Sequence, residues 1–267
     1  MGDMITVFGV GAMGTALIRG LLSRRVAEPQ EIIANDVDSE RVDAIVSDLG
    51  IVSGSGGREG LSGARVVVLA VKPQSFATLA ALLRDALTPE QLVISIMAGV
   101  NLSTLAGALG TGRVVRAMPN TPAQVGRGVS VWMAGGSVAD NDRRLVRQIL
   151  GALGIEIEVR GEGLIDAATA VHGSGPAYIF LVAEAWIDAA VSVGLDRDVA
   201  VMLVRETLAG SAVLWEGSEQ SLEDLRRAVT SPGGTTAAAL DVFEKQRLRI
   251  IFRDAIHAAY RRAQELG

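Results

Sequence analysis

The spacing of apolar residues changes its rhythm once along this chain, near residue 160. Upstream, short apolar runs at residues 5–8, 32–34, 65–71, 92–96, 113–118, 129–133 and 155–159 read as strands. Segments of helical spacing lie between them, such as Leu17, Ile18, Leu21 and Leu22. The run Val66-Val67-Val68-Leu69 has no polar member, as a parallel strand covered on both faces requires. This alternation predicts an α/β domain with a doubly wound, Rossmann-type sheet. Downstream only helical periodicity remains, over residues 164–172, 176–193, 197–215, 222–228, 236–244 and 247–266, interrupted by Gly, Ser and Pro. The expected domains are therefore an α/β unit at 1–161 and an all-α unit at 162–267.

Residues 177–195 are apolar enough to raise the question of a membrane. Glu184 and Asp188 near the middle, with Pro176 and Gly194 at the ends, mark a buried helix instead. Its near-continuous apolarity asks for cover on most sides, which a second copy of the chain would supply. Composition narrows the partners. At 267 residues and 49% hydrophobic, with a mean hydropathy of +0.35, the chain can bury a sizeable core. A net charge of −5, with arginines scattered among acids and lysine only at positions 72 and 245, argues against a nucleic-acid partner. The absence of cysteine removes disulfides and thiolate chemistry, and no metal-ligand set is expected. Met1-Gly2-Asp3-Met4 leads straight into the first strand with no secretory pattern, so a cytoplasmic location is expected. Residues 50–57 read as a flexible surface loop.

Gly9-Val10-Gly11-Ala12-Met13-Gly14 follows the first strand and opens a helix, the context that a dinucleotide pyrophosphate demands. Its glycines permit a tight turn, close approach of backbone N–H groups to phosphate, and close packing of helix on sheet. Asn35 and Asp36 end the second strand, where an acid accepts from the adenosine ribose and repels a 2′-phosphate. That leans towards NADH over NADPH, although Asp36 also suits a plain turn and Arg41 or Arg58 can still reach a phosphate. Ala70-Val71-Lys72-Pro73 and Met118-Pro119-Asn120 follow later strands on the ligand side. They can rim the ribose and the nicotinamide; the second reads equally as a surface turn, and Lys72 before proline reads as a solvated or phosphate-facing charge. Ser231-Pro232-Gly233-Gly234-Thr235-Thr236 precedes a helix whose first-turn N–H groups bear a partial positive charge. Such a loop seats a small carboxylate; taken alone, it is equally a helix cap.

Residues 225–240, Leu-Arg-Arg-Ala-Val-Thr-Ser-Pro-Gly-Gly-Thr-Thr-Ala-Ala-Ala-Leu, together with His172-Gly173-Ser174-Gly175-Pro176-Ala177-Tyr178, resemble the signature of the pyrroline-5-carboxylate reductases. Ala70 to Pro73 and Met118 to Pro122 match that family too, and the similarity runs the whole length. The resemblance implies reduction of 1-pyrroline-5-carboxylate to L-proline by NADPH or NADH. It implies a Rossmann domain followed by a helical dimerisation and substrate domain, in a homo-oligomer that is a dimer or a pentamer of dimers. Substrate binding would fall to Ser174, Ser231, Gly233, Gly234, Thr235 and Thr236, with the Thr236 hydroxyl as the catalytic group reaching the ring nitrogen. Cofactor binding would fall to Gly9, Gly11, Ala12, Met13, Gly14, Asn35, Asp36, Ala70, Val71, Lys72, Pro73, Met118, Pro119 and Asn120. Because the acid-binding loop lies in the helical half, it is expected to face the cofactor across a dimer interface.

Two positions depart from the family's pattern. Many members have a small residue where this chain has His172, and an arginine where it has Asp36. Related hydroxyacid dehydrogenases carry a catalytic lysine four residues past the glycine matching Gly175; here that position is Ile179, which cannot exchange a proton. Ser174-Gly175-Pro176 then reads as the cap of the long helix, and His257 reads as packing. A reductase of another cyclic imine would keep the cofactor features without the Ser231–Thr236 loop. A non-enzymatic dinucleotide-binding helical dimer would have no need of Thr236.

Overall fold

The computed structural model describes residues 3–54 and 56–267. Met1, Gly2 and Ser55 lie outside the described residues, and with them part of the expected chain start and of the 50–57 loop. Eight strands form one sheet: β1 (Ile5–Phe8), β2 (Ile32–Asn35), β3 (Val52–Ser53), β4 (Val66–Leu69), β5 (Leu92–Ser95), β6 (Val114–Met118), β7 (Gly128–Ala134) and β8 (Gly154–Glu158). Their order is β3-β2-β1-β4-β5-β6-β7-β8. The chain builds outward from β1 in one direction and then from β4 in the other, which leaves a crevice at the carboxyl ends of these two central strands.

Burial explains why the central strands read as unbroken apolar runs. Val66 and Val68 point into one core layer with Leu17, Ile18, Leu21, Ile94 and Trp132. Val67 and Leu69 point into the other with Phe8, Phe76, Leu83, Val93 and Leu105. The first layer is covered by α1 (Ala12–Ser23), α2 (Ser39–Leu49) and, later in the chain, α5 (Asp140–Gly151); the second by α3 (Phe76–Leu83) and α4 (Leu102–Leu109). Each large side chain removed from water in these layers contributes about 1.5–3 kcal/mol. α6 (Glu162–Ala168) follows β8.

The sheet departs from a uniformly parallel one at β7, which pairs antiparallel to β6, with Ala117 opposite Trp132. The segment joining them holds only a short helical turn, Thr121–Val125. A parallel connection needs a crossover of about a dozen residues or more, usually a helix, so the chain turns straight back. β3 was not visible in the periodicity because both its residues are exposed and no apolar alternation exists to detect.

The remaining helices are α7 (Gly175–Ser192), α8 (Arg197–Glu216), α9 (Leu222–Ala228), α10 (Thr235–Lys245) and α11 (Leu248–Leu266). Two compact units result: residues up to Ser174 together with Ala259–Gly267, and Gly175–Ala258. The burial expected for residues 177–195 is not met within one chain. Phe180 is 63% exposed and Trp186 44%, because this unit is too small to cover its own apolar helices, and α7 has no buried residue among those described. Among the described residues no helix is long and apolar enough to cross a membrane.

Candidate functional site

The turn after β1 is built around two steric conditions. Gly9 has φ +101°, and a Cβ there would sit 2.6 Å from the carbonyl oxygen of Ala70, so the β1 and β4 ends close on each other only with glycine. A Cβ on Gly14 would lie 1.9 Å from the Gly9 carbonyl oxygen, so α1 lies hard against the strand it follows. At Gly11, by contrast, no atom outside its immediate chain neighbourhood lies within 4 Å of where a Cβ would be. The turn is closed behind and open in front.

Into that open side point the first amides of α1. Its N-cap is Gly11, with no side-chain cap, and the first intrahelical bond runs from Thr15 N to Gly11 O at 2.9 Å. The N–H groups of Ala12, Met13 and Gly14 therefore have no helical acceptor. Thr15 Oγ1 donates to Val10 O at 2.9 Å and braces the turn. A cleft of about 520 Å³ opens here, lined by residues that include Gly11, Ala12, Thr15, Arg19, Arg41 and Gln124. Free amides, dipole and open space fit the pyrophosphate of a dinucleotide. The lining by Thr15 and Gln124 went unread in the sequence; the position of Thr15 in the first turn after the glycines was the available signal.

At the end of β2 the two expected residues do different things. Asn35 is fully buried. Its Nδ2 donates to Thr6 Oγ1 at 2.9 Å and its Oδ1 accepts from Gly56 N at 3.1 Å, so its amide is engaged in joining β1 and β2 to the loop beyond β3. Asp36 is half-buried, and its carboxylate is fixed by two backbone donors, Val10 N at 2.8 Å and Asp38 N at 3.1 Å. The charge thus stands beside the glycine turn and cannot swing away. Arg41 pairs with Asp38 at 2.9 Å; both are substantially exposed, and such pairs contribute at most about 1 kcal/mol.

Ala70 and Val71 back the glycine turn, as the Gly9 geometry requires. Lys72 is exposed, and Pro73 starts a short helical turn, Pro73–Ser75, that leads into α3. At the end of β6, Met118 is half-buried, while Pro119 and Asn120 are buried. The Asn120 amide is engaged on both sides: Oδ1 accepts from Val129 N at 2.8 Å, and Nδ2 donates to His172 O at 3.1 Å.

The second unit contains the other open helix end. Gly233 sits in the left-handed region at φ +71°, Gly234 N donates to Ser231 O at 3.1 Å, and Gly234 is the N-cap of α10 with no side-chain cap. Ser231 lies against Gly234, where a Cβ would meet its Oγ at 2.3 Å. The amides of Thr235, Thr236 and Ala237 are left free, since Ala238 N makes the first helical bond, to Gly234 O at 3.1 Å. Thr235 is exposed and Thr236 half-buried.

The capping pattern singles out these two ends. Among the described residues, eight α-helices start from an extended N-cap. α2, α4 and α9 are capped by Asp38, Asn101 and Ser221, and α5, α6 and α8 have an acid in the first turn. Only α1 and α10 have neither. A missing cap forgoes about 1 kcal/mol, and both ends therefore remain free to take an anion from outside.

Ser174 is not the cap expected of it. It keeps right-handed helical angles, φ −85° and ψ −20°, and forms a bend between a π-helical turn, Thr169–Gly173, and α7. Ile179, on α7, is 53% exposed.

Two known families match different stretches of the chain. A family described as pyrroline-5-carboxylate reductase dimerisation matches residues 162–266, and one described as NADP oxidoreductase coenzyme F420-dependent matches residues 4–99. The pyrroline-5-carboxylate reductase of Pseudomonas aeruginosa is 40% identical over 264 residues, covering 98% of this chain and 96% of its own. The structure of a pyrroline-5-carboxylate reductase from Coxiella burnetii superposes with a TM-score of 0.93 at 37% identity, covering 100% of this chain and 99% of that one. That of the Plasmodium falciparum pyrroline carboxylate reductase with NADP bound gives 0.88 at 30% identity, covering 99% and 98%. With identity of this size sustained across both units, the chain belongs to the pyrroline-5-carboxylate reductase family.

Proposed function

We propose that this chain reduces 1-pyrroline-5-carboxylate to L-proline, the closing step of proline biosynthesis, with NADH as the preferred hydride donor. The observation that supports the reading most directly is the pair of bare helix ends at α1 and α10, one in each unit. Alternative readings fit less well. A non-enzymatic dinucleotide binder has no use for a second anion seat, and Ile179 offers no proton for alcohol oxidation.

The amides of Ala12, Met13 and Gly14 would receive the pyrophosphate, with Ala70, Val71, Lys72 and Pro73 and then Met118, Pro119 and Asn120 bordering the ribose and nicotinamide. When bound, the reduced nicotinamide supplies a hydride to the imine carbon, and solvent supplies the proton on nitrogen. The protein's work is alignment. The substrate carboxylate would rest on the amides of Thr235, Thr236 and Ala237, with Ser231, Gly233 and Gly234 shaping the loop and Ser174 as a further contact. The Thr236 hydroxyl would donate to or orient the ring nitrogen, favouring charge development there.

The preference for NADH rests on Asp36. Each of its oxygens accepts one backbone N–H and retains a lone pair for a ribose hydroxyl. A 2′-phosphate placed beside this fixed charge meets a repulsion of about 1–4 kcal/mol. The apolar helices of the second unit support a homodimer, with Phe180, Trp186 and Trp215 among the side chains to be covered. The expected location is the cytoplasm, where reduced nicotinamide is regenerated.

Steady-state oxidation of NADH and NADPH with 1-pyrroline-5-carboxylate, run side by side, tests this reading. Turnover with both and a higher kcat/KM for NADH is the expected result. If neither cofactor is oxidised the assignment fails, whereas a preference for NADPH refutes only the reading of Asp36.

A further inference from the structure

The π-helical turn Thr169–Gly173 presses on the Met118–Asn120 segment through His172 and its neighbour. His172 Nε2 lies 2.9 Å from the carbonyl oxygen of Met118, and Nδ1 lies 2.6 Å from that of Ala168, in its own helical run. A return bond crosses the same gap, from Asn120 Nδ2 to His172 O at 3.1 Å. Beside it, a Cβ on Gly173 would lie 3.1 Å from Met118 Cε, so the turn passes close to the methionine. Below these contacts α6 is tied to β6 independently, since Arg116 donates to Glu162 at 3.1 Å and to Asp166 at 2.7 Å. The histidine is therefore surplus to holding α6 on the sheet. What it adds is a fixed position for the backbone at Met118, because an imidazole N–H at Nε2 reaches the Met118 carbonyl, which a short side chain at 172 could not. π-helical turns occur frequently where a function needs a residue re-aimed.

We propose that His172 is a positioning residue for the reduction: it locks the Met118–Asn120 segment, assigned above to the nicotinamide end, to the Gly173–Ser174 bend, so that both move as one piece. The inference rests on the reductase reading for its kinetic consequence, and on geometry alone for the lock. Misplacement by about 1 Å at a reacting centre lowers rates by up to about a hundredfold. His172→Ala, His172→Gln and His172→Phe, compared with the unaltered chain, test it. Glutamine keeps an N–H able to reach Met118 O, and phenylalanine keeps only the volume.

For His172→Ala we expect kcat to fall about tenfold while the NADH dissociation constant stays within about twofold of the unaltered value. His172→Gln should restore most of the loss and His172→Phe should not. Unchanged kcat in His172→Ala, or full restoration by phenylalanine, overturns the proposal. A second readout does not depend on turnover: amide hydrogen exchange over residues 118–129 should quicken in His172→Ala and return towards normal in His172→Gln. Unaltered exchange there overturns the lock even if the chain proves to reduce a different imine. Absence of pyrroline-5-carboxylate turnover in the unaltered chain, with exchange behaving as expected, sinks the reductase reading and leaves the lock standing.

Discussion

The amino ends of α1 and α10 offer the same chemistry in opposite settings. Both start from a glycine N-cap and both lack a side-chain cap and a first-turn acid. α1 is clamped: Gly14, Ala16, Leu17, Ile18 and Leu21 are buried, and Gly9 and Gly14 lie against backbone. α10 has no buried residue, and Val242 and Phe243 on it are 55% and 50% exposed. A bare helix end binds an anion selectively only when its direction is fixed, because the dipole effect fades within the first turn. The first unit fixes its own; within one chain the second leaves its own uncovered.

The largest effect that would break this comparison comes from Gly14→Val. With 1.9 Å between a Cβ and the Gly9 carbonyl, α1 must leave the sheet, so NADH affinity should drop by more than about a hundredfold, with a lower melting temperature. Gly11→Ala is its control: open space predicts an unchanged melting temperature beside weakened cofactor binding. A Gly14→Val protein that binds NADH normally by fluorescence titration would refute the clamp.

Next in size is the double variant Phe180→Glu with Trp186→Glu. Losing two aromatic contacts of about 1.5–3 kcal/mol each should weaken self-association by at least about a hundredfold, read by sedimentation, with turnover falling alongside. A fully active, undissociated variant would show that α10 needs no such cover. Thr236→Ala should then lower kcat by about a hundredfold with unaltered NADH affinity, and Thr236→Ser should recover much of it. Unchanged turnover in the alanine variant removes Thr236 from the reaction. Smallest is Asp36→Ser, which should shift the NADPH to NADH ratio of kcat/KM by about tenfold towards NADPH; a constant ratio would mean that the Asp36 charge does not discriminate.

The clamp was more legible in the sequence than the partnerless end, for physical reasons. Val66 to Leu69 announce a strand buried on both faces, and the spacing of Gly9, Gly11 and Gly14 announces a tight turn onto a helix, since both are local patterns set by sterics. Ser231 to Thr236 announce a helix start equally locally. Residues 177–195, by contrast, display apolarity but not what covers it; burial is a property of the assembly. Long-range hydrogen bonds are similarly silent. Nothing in the sequence says that Asp36 takes the amide of Val10, that Asn35 reaches Thr6, or that His172 meets Met118 across 54 residues. The reversal of β7 was readable in principle from the short connection before it, and the π turn hid inside an ordinary helical pattern ending at His172.

That reversal also bears on the order of assembly. The parallel strands at the glycine turn pair only after a crossover has formed, so their contacts join residues far apart in the chain, whereas β6 and β7 meet through a short connection closed by Val129 N on Asn120 Oδ1. Closing a short loop costs little entropy, and low contact order speeds folding. The Met118–Asn120 edge should consequently be born early and on its own, with the glycine turn completed later; pulse-labelled hydrogen exchange during refolding would find Val129 protected ahead of Val7.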